Sequence, residues 1–167
     1  MDLEKFHSLD VVVVAGLPGA GKSHFARQYF QGRERLRVNR KEIRRLLFEM
    51  MSFGISWSEA EFDSLDEFLV KHVERKIIEH LLQQRKKVLV DNTSVTVESR
   101  RQYLSLARQM HRSIGIVFLD TPAGHCLERN ASRDDRVPDT AISNLAAALE
   151  RPDKSEGFQE AVIVRGY

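Results

Sequence analysis

"AGLPGAGKSH", residues 15–24, decides how this chain folds. Its centre, "GLPGAGKS", fits the pattern G-x-x-x-x-G-K-[ST] with Gly16, Gly21, Lys22 and Ser23 in register. Gly16, Gly19 and Gly21 allow a tight backbone bend that turns N–H groups inward, and a helix starting near Lys22 adds the positive end of its dipole. A glycine turn with a solvated lysine has the same spacing. The flanking context favours the phosphate-binding reading, because four valines precede the loop and a helical pattern, Lys22 to Phe30, follows it. In such a loop Lys22 reaches the β- and γ-phosphates and Ser23 offers its hydroxyl to Mg²⁺.

Working outward, five apolar, β-branched runs stand at 10–15 (DVVVVA), 35–39 (RLRVN), 87–91 (KVLVD), 114–120 (IGIVFLD) and 161–165 (AVIVR). Runs of this kind alternating with helical patterns require a parallel sheet covered on both faces, an α/β fold. Asn39 and Glu42 form the signature of a capping box opening a second helix, and Ser58 and Glu61 repeat it. Behind them Phe62, Leu65, Phe68, Leu69, Val73, Ile77 and Leu81 predict one long amphipathic helix to about residue 84. Further helices are expected near 96–110, 123–131 and 138–150, and 50–57 reads as a loop. Its Phe53 and Trp57 are expected to pack under the long helix, with a platform for a flat ligand as the alternative.

The 167 residues, 42% of them apolar, suit a single domain, 1–167, that buries a core without staples. A lone cysteine, Cys126, excludes an internal disulfide framework and reads as a small buried residue. No run has the length of a signal or membrane-spanning segment, so a cytoplasmic protein without a membrane partner is expected. The net charge of +2 permits a nucleic-acid partner without arguing for one. His72 and His80 stand two helical turns apart, too far for one metal ion.

A phosphate loop needs an acidic group near the metal. Asp91 closes the strand "KVLVD" and is the candidate to hold Mg²⁺ or its water, with Asp120 at the end of "IVFLD" as the alternative. Phosphoryl transfer also needs cations where charge spreads over the transferred group. The stretch "LERNASRDDRVP" offers Arg129, Arg133 and Arg136, the first two on one face if that segment is helical. Asp134 and Asp135 would neutralise at least one of the three. Arg133 or Arg136 is expected to touch ATP.

Together "GLPGAGKS", "VNRKEIRR", "VLVDNTSVTVESRR", "FLDTP", "RNASRDDRVP" and "RPDKSEGF" resemble, in order and spacing, the kinase domain of 5′-hydroxyl polynucleotide kinases. The wider group of small P-loop kinases that includes zeta-type toxins shares much of the pattern. The resemblance implies a three-layer fold, with a five-stranded parallel sheet, helices on both faces and a small arginine-bearing lid. It implies an ATP site across Gly16, Pro18, Gly19, Ala20, Gly21, Lys22, Ser23 and His24, with lid arginines drawn from Arg129, Arg133 and Arg136. Arg44 would contact a phosphate of the acceptor strand, a DNA or RNA end bearing a 5′-OH. One position departs from the family, because the residue after "NR" is there an aspartate that takes the acceptor's proton and is here Lys41. An ammonium cannot accept a proton. Glu42 or Asp91 then serves as base, or the chain binds ATP and phosphorylates acceptors poorly; a small-molecule acceptor is the other alternative. The loop after Pro152 is expected to reach the nucleotide base.

Overall fold

The computed structural model describes residues 3–32, 35–58, 61, 66–134 and 136–167. Its five strands, β1 (Val11–Gly16), β2 (Arg35–Val38), β3 (Lys87–Asp91), β4 (Ile114–Asp120) and β5 (Glu160–Arg165), form one parallel sheet in the order β2-β3-β1-β4-β5. The valine run lies at the centre, with Val11 opposite both Val88 and Ile114, and all six of its residues are buried. A strand covered on both faces needs no polar alternation, which is why "VVVVAG" has none.

The helices are α1 (Glu4–Ser8), α2 (Lys22–Phe30), α3 (Arg40–Met51), α4 (Glu67–Gln83), α5 (Val97–Gln109), α6 (Ala123–Ala131) and α7 (Asp139–Ala147). The β1-to-β2 connection crosses the sheet in one direction and the three later connections in the other. Right-handed crossovers therefore place α2 on one face and α3–α4, α5 and α6–α7 on the opposite one. Every strand's C-terminal end points the same way, so the loops after β1, β2, β3 and β4 meet along one edge. Beneath them Phe25 and Phe30 of α2, Ile78 and Leu82 of α4, Ile142 of α7 and Ile116 and Phe118 of β4 fill the core.

The elements expected from sequence are present, with three corrections. Helix α4 starts at Glu67, where the Asp66 side chain accepts from the Phe68 amide (2.8 Å), rather than behind Ser58 and Glu61. Its buried face is Val70, Glu74, Ile78 and Leu82, while Phe68 and Ile77 of the expected stripe are exposed. The face is displaced because Glu74 is charged yet belongs to the core, where Arg40 pairs with it. Phe62 and Leu65 lie outside the described residues.

Second, α3 continues through Met50 and Met51, and Ser52 ends it by donating its amide to the Phe48 carbonyl (2.9 Å). Phe53 then takes a positive φ of 56° and points fully into solvent instead of packing under α4. Third, α1 and a one-turn 3₁₀ segment at Lys154–Glu156 have too few residues to show a periodicity. Cys126 is buried and free, as expected. Among the described residues no helix is long and apolar enough to cross a membrane, and no three His, Cys, Asp or Glu side chains cluster as metal ligands.

Candidate active site

The loop between β1 and α2 is shaped by its glycines. Gly19 holds φ at +84°, and a Cβ there would run into the carbonyl of Cys126 on α6. Gly21 is the N-cap of α2 at φ +91°, no side chain caps the helix, and its first turn carries no acidic residue. The N-terminal amides of α2 thus face the loop with the dipole behind them, a surface suited to a polyphosphate. Lys22 is half-buried, and its Nζ donates to the Leu17 carbonyl at 2.8 Å. Burial pulls its pKa down from 10.5 to about 8, against the opposing pull of Asp91, with Arg133 lowering it further.

Asp91 is fully buried at the C-terminal end of β3 and faces the start of α2. Its Oδ2 accepts from the Ser23 hydroxyl (2.8 Å) and from Arg37 Nε (2.8 Å), and its Oδ1 is buried with no hydrogen-bond partner. A hydroxyl beside a carboxylate with a spare buried oxygen is a set of hard oxygen donors that fits Mg²⁺. Asp120 is not at this site: it pairs with Arg151 (2.9 Å) and Arg165 (3.7 Å) at the β4–β5 side of the sheet.

Behind Asp91 lies a polar network with no counterpart in the sequence reading. Asn92 accepts from the Arg40 amide (2.7 Å) and donates to Tyr103 (2.8 Å) and to Glu74. Glu74, itself buried, also accepts from Arg40 (2.6 Å) and Tyr103 (2.9 Å). Desolvation and the neighbouring carboxylate keep the Tyr103 phenol protonated, with its pKa raised. The network ties α3, α4 and α5 to the end of β3, so the carboxylate of Asp91 sits on a rigid base. A second buried cation, Arg100, grips Glu156 (2.6 Å), the Glu150 carbonyl (2.9 Å) and the Ser94 carbonyl (3.2 Å), which anchors the loop after Asp91.

A cleft of about 280 Å³ opens in front of Lys22, Ser23 and Asp91. Asn39, the N-cap of α3, with Lys41 and Arg44 of that helix form one wall, and Arg133, Val137, Ala141 and Leu145 form the other. The two walls therefore bring together Lys22, Ser23, Asp91, Arg44 and Arg133 of the residues expected from sequence, with Pro18 at the rim. Glu67 joins the α3 wall as an ion-pair partner of Arg44 and, at 3.7 Å, of Arg40.

Other expected residues are placed elsewhere. Helix α6 ends at Ala131, so Arg129 and Arg133 do not share a helical face. Arg129 donates to the carbonyls of Tyr167 (3.2 Å) and Gly19 (3.5 Å) on the outer side of the loop, and Arg136 turns back onto the Ala131 carbonyl. His24 is exposed, with its ring 5.9 Å from that of Tyr167. Glu42 accepts from Arg37 NH1 at 2.7 Å, and its amide donates to the Asn39 side chain at 2.9 Å, one half of the expected capping box. Asp135, expected to offset a lid arginine, lies outside the described residues. After Pro152, Asp153 caps the 3₁₀ turn and Lys154 pairs with Glu160 (2.9 Å), while Tyr167 covers the start of α2 and donates to Gln28 (2.8 Å). Arg37 was missed: one arginine in a short edge strand carries no local signal, and only strand pairing sets it beside Asp91.

Known proteins share sequence and fold with this chain. The chain is 24% identical over 146 residues to the L-seryl-tRNA(Sec) kinase of Methanococcus maripaludis, covering 85% of this chain and 53% of that protein. It is 22% identical over 160 residues to the bifunctional polynucleotide phosphatase/kinase of Schizosaccharomyces pombe, covering 93% of this chain and 33% of that one. The chain thus spans about half or less of the length of these relatives. The fold is shared with Chaetomium thermophilum Kti12, solved in complex with ADP-AlF3, at a TM-score of 0.71 and 15% identity over 93% of this chain and 89% of that one. The family model described as AAA domain matches residues 11–152, from the valine strand through α7. The chain belongs to the AAA domain family and has the α/β fold with a five-stranded parallel sheet.

Proposed function

We propose that the chain is an ATP- and Mg²⁺-dependent phosphotransferase that moves the γ-phosphate to a hydroxyl, with the 5′-OH of a DNA or RNA end as acceptor. The observation that carries this reading is the convergence of Lys22, Ser23 and Asp91 beneath a cleft walled by Lys41, Arg44 and Arg133. Loop and α2 amides hold the phosphates, and Lys22 leaves the Leu17 carbonyl for them. Ser23 and Asp91 would hold Mg²⁺, which would supply neutralisation of phosphate charge. Arg133 faces the transferred group, and Arg44 meets a phosphate of the acceptor strand. In the transfer the bond from the bridging oxygen to the γ-phosphorus breaks, its electron pair staying with ADP, the acceptor oxygen bonds to phosphorus, and the hydroxyl proton passes to Asp91 Oδ1 or to water. The names of two relatives include a tRNA and a polynucleotide, which supports an acceptor that carries or belongs to a nucleic acid.

Proton removal is where a second reading has an observation of its own. Lys41 lines the cleft where a base would stand, Glu42 is engaged by Arg37, and Glu67 is held by Arg44. The unpartnered Oδ1 of Asp91 is the remaining acceptor among the described carboxylates lining the cleft. On this second reading the chain binds ATP and transfers slowly, or takes a small-molecule hydroxyl. The test is transfer of labelled γ-phosphate, with Mg²⁺, to 5′-OH DNA and RNA oligonucleotides beside a no-acceptor control. Labelled oligonucleotide that disappears with Lys22→Ala supports the first reading. Free phosphate alone supports the second, and activity undiminished in Lys22→Ala overturns both.

A further inference from the structure

Arg37 touches Asp91, the carboxylate assigned above to the metal, and its chemistry is that of a cation already in place. Its guanidinium is a fork: Nε and NH2 lie 2.8 and 2.7 Å from Asp91 Oδ2, and NH1 lies 2.7 Å from Glu42 Oε1. NH2 is also 3.4 Å from the Ser23 hydroxyl. One arginine thus spans both carboxylates and borders both oxygen donors that fit Mg²⁺. The two ends differ in environment, since the Asp91 side chain is fully buried and that of Glu42 is 67% exposed.

We infer that Arg37 and a divalent cation are alternative counter-ions of Asp91, and that Glu42 is the acceptor that keeps Arg37 when the cation arrives. The inference rests on the phosphate-cradle reading above. A buried carboxylate without a compensating charge is costly, so without metal Asp91 needs Arg37. A metal ion against the same carboxylate repels the guanidinium, whose exchange is eased because NH1 already holds a solvent-facing partner. This assigns Glu42 a role different from that of a base: it acts through Arg37 as a positioning residue for the metal site.

The experiment compares dissociation constants of the whole chain for a non-hydrolysable ATP analogue, by calorimetry, in Mg²⁺ and in EDTA. The constant in EDTA divided by that in Mg²⁺ reports the metal's contribution. Arg37→Met removes the competitor and raises that ratio roughly tenfold, the scale of one charge-assisted hydrogen bond. Arg37→Gln, which keeps a donor for Asp91 without the charge, raises it in the same direction. Glu42→Gln leaves Arg37 with Asp91 alone and lowers the ratio, and the double variant Arg37→Met/Glu42→Gln behaves as Arg37→Met. An unchanged or lower ratio in both Arg37 variants overturns the inference while leaving the phosphate cradle intact. Affinity lost to the same extent in Mg²⁺ and in EDTA also overturns it, because Arg37 is then a phosphate ligand. No binding of the analogue by the parent chain overturns the cradle and this inference together.

Discussion

Gly16 to Ser23 and Val38 to Glu42 both lead from a strand into a helix at the same edge of the sheet, yet they present opposite surfaces. At α2 the cap is a glycine with positive φ, and no side chain satisfies the first-turn amides. At α3 the Asn39 side chain accepts from the Glu42 amide, and the Asn92 side chain accepts from the Arg40 amide. One helix end is left open for an anion, and the other is closed by the protein itself. The difference teaches where charge must come from on each side of the cleft. On the proposed reading the donor side draws it from backbone, dipole and Lys22, and the acceptor side has to draw it from side chains of α3, Lys41 and Arg44.

That contrast is most sharply tested at Lys41. Lys41→Asp places a proton acceptor on the closed helix, and transfer to a 5′-OH oligonucleotide rises by up to roughly 10²- to 10⁴-fold, the range for a positioned general base. Rates measured with labelled ATP decide it, and no gain means that a base is not what the acceptor side lacks.

Next in size is the foundation of the closed end. Glu74→Ala leaves Arg40 without its buried partner and destabilises the chain by about 3–5 kcal/mol in urea unfolding. A loss below about 1 kcal/mol, the median value of an exposed pair, would show that the network does not brace Asp91.

The open end has a pH signature. Lys22 titrates at about 8 in the folded chain, against 10.5 ordinarily. Between these values the unfolded chain binds the extra proton, so this group's contribution to stability increases as pH rises through that window. Phosphate binding needs the charged form, so nucleotide affinity falls above pH 8, by up to roughly tenfold per pH unit for one linked proton. Lys22→Arg, charged throughout, flattens the profile; a parent profile already flat to pH 9.5 would break the assignment.

Smallest is the division among Arg129, Arg133 and Arg136. Arg133→Ala lowers nucleotide affinity most, Arg129→Ala less, and Arg136→Ala least, in calorimetric titrations with Mg²⁺. The reverse order would mean that the segment rearranges when nucleotide binds.

Much of this was legible along the chain. The five strands, the phosphate loop, the Lys22–Phe30 helix, Asp91 at a strand end and the buried Cys126 each follow from residues close in sequence, because backbone conformation and burial periodicity are local properties. The face of α4 was not legible, since Glu74 looks like a solvent residue until Arg40, Asn92 and Tyr103 surround it. Arg37 on Asp91, the parting of Arg129 from Arg133, and the engagement of Glu42 also depend on groups distant in sequence or on where a helix stops. The sequence by itself determined an α/β chain with a phosphate loop and a lysine where a base is expected. Only the tertiary structure decided which charges meet, because ion pairs form between side chains that parallel pairing and helix packing bring within about 3 Å of one another.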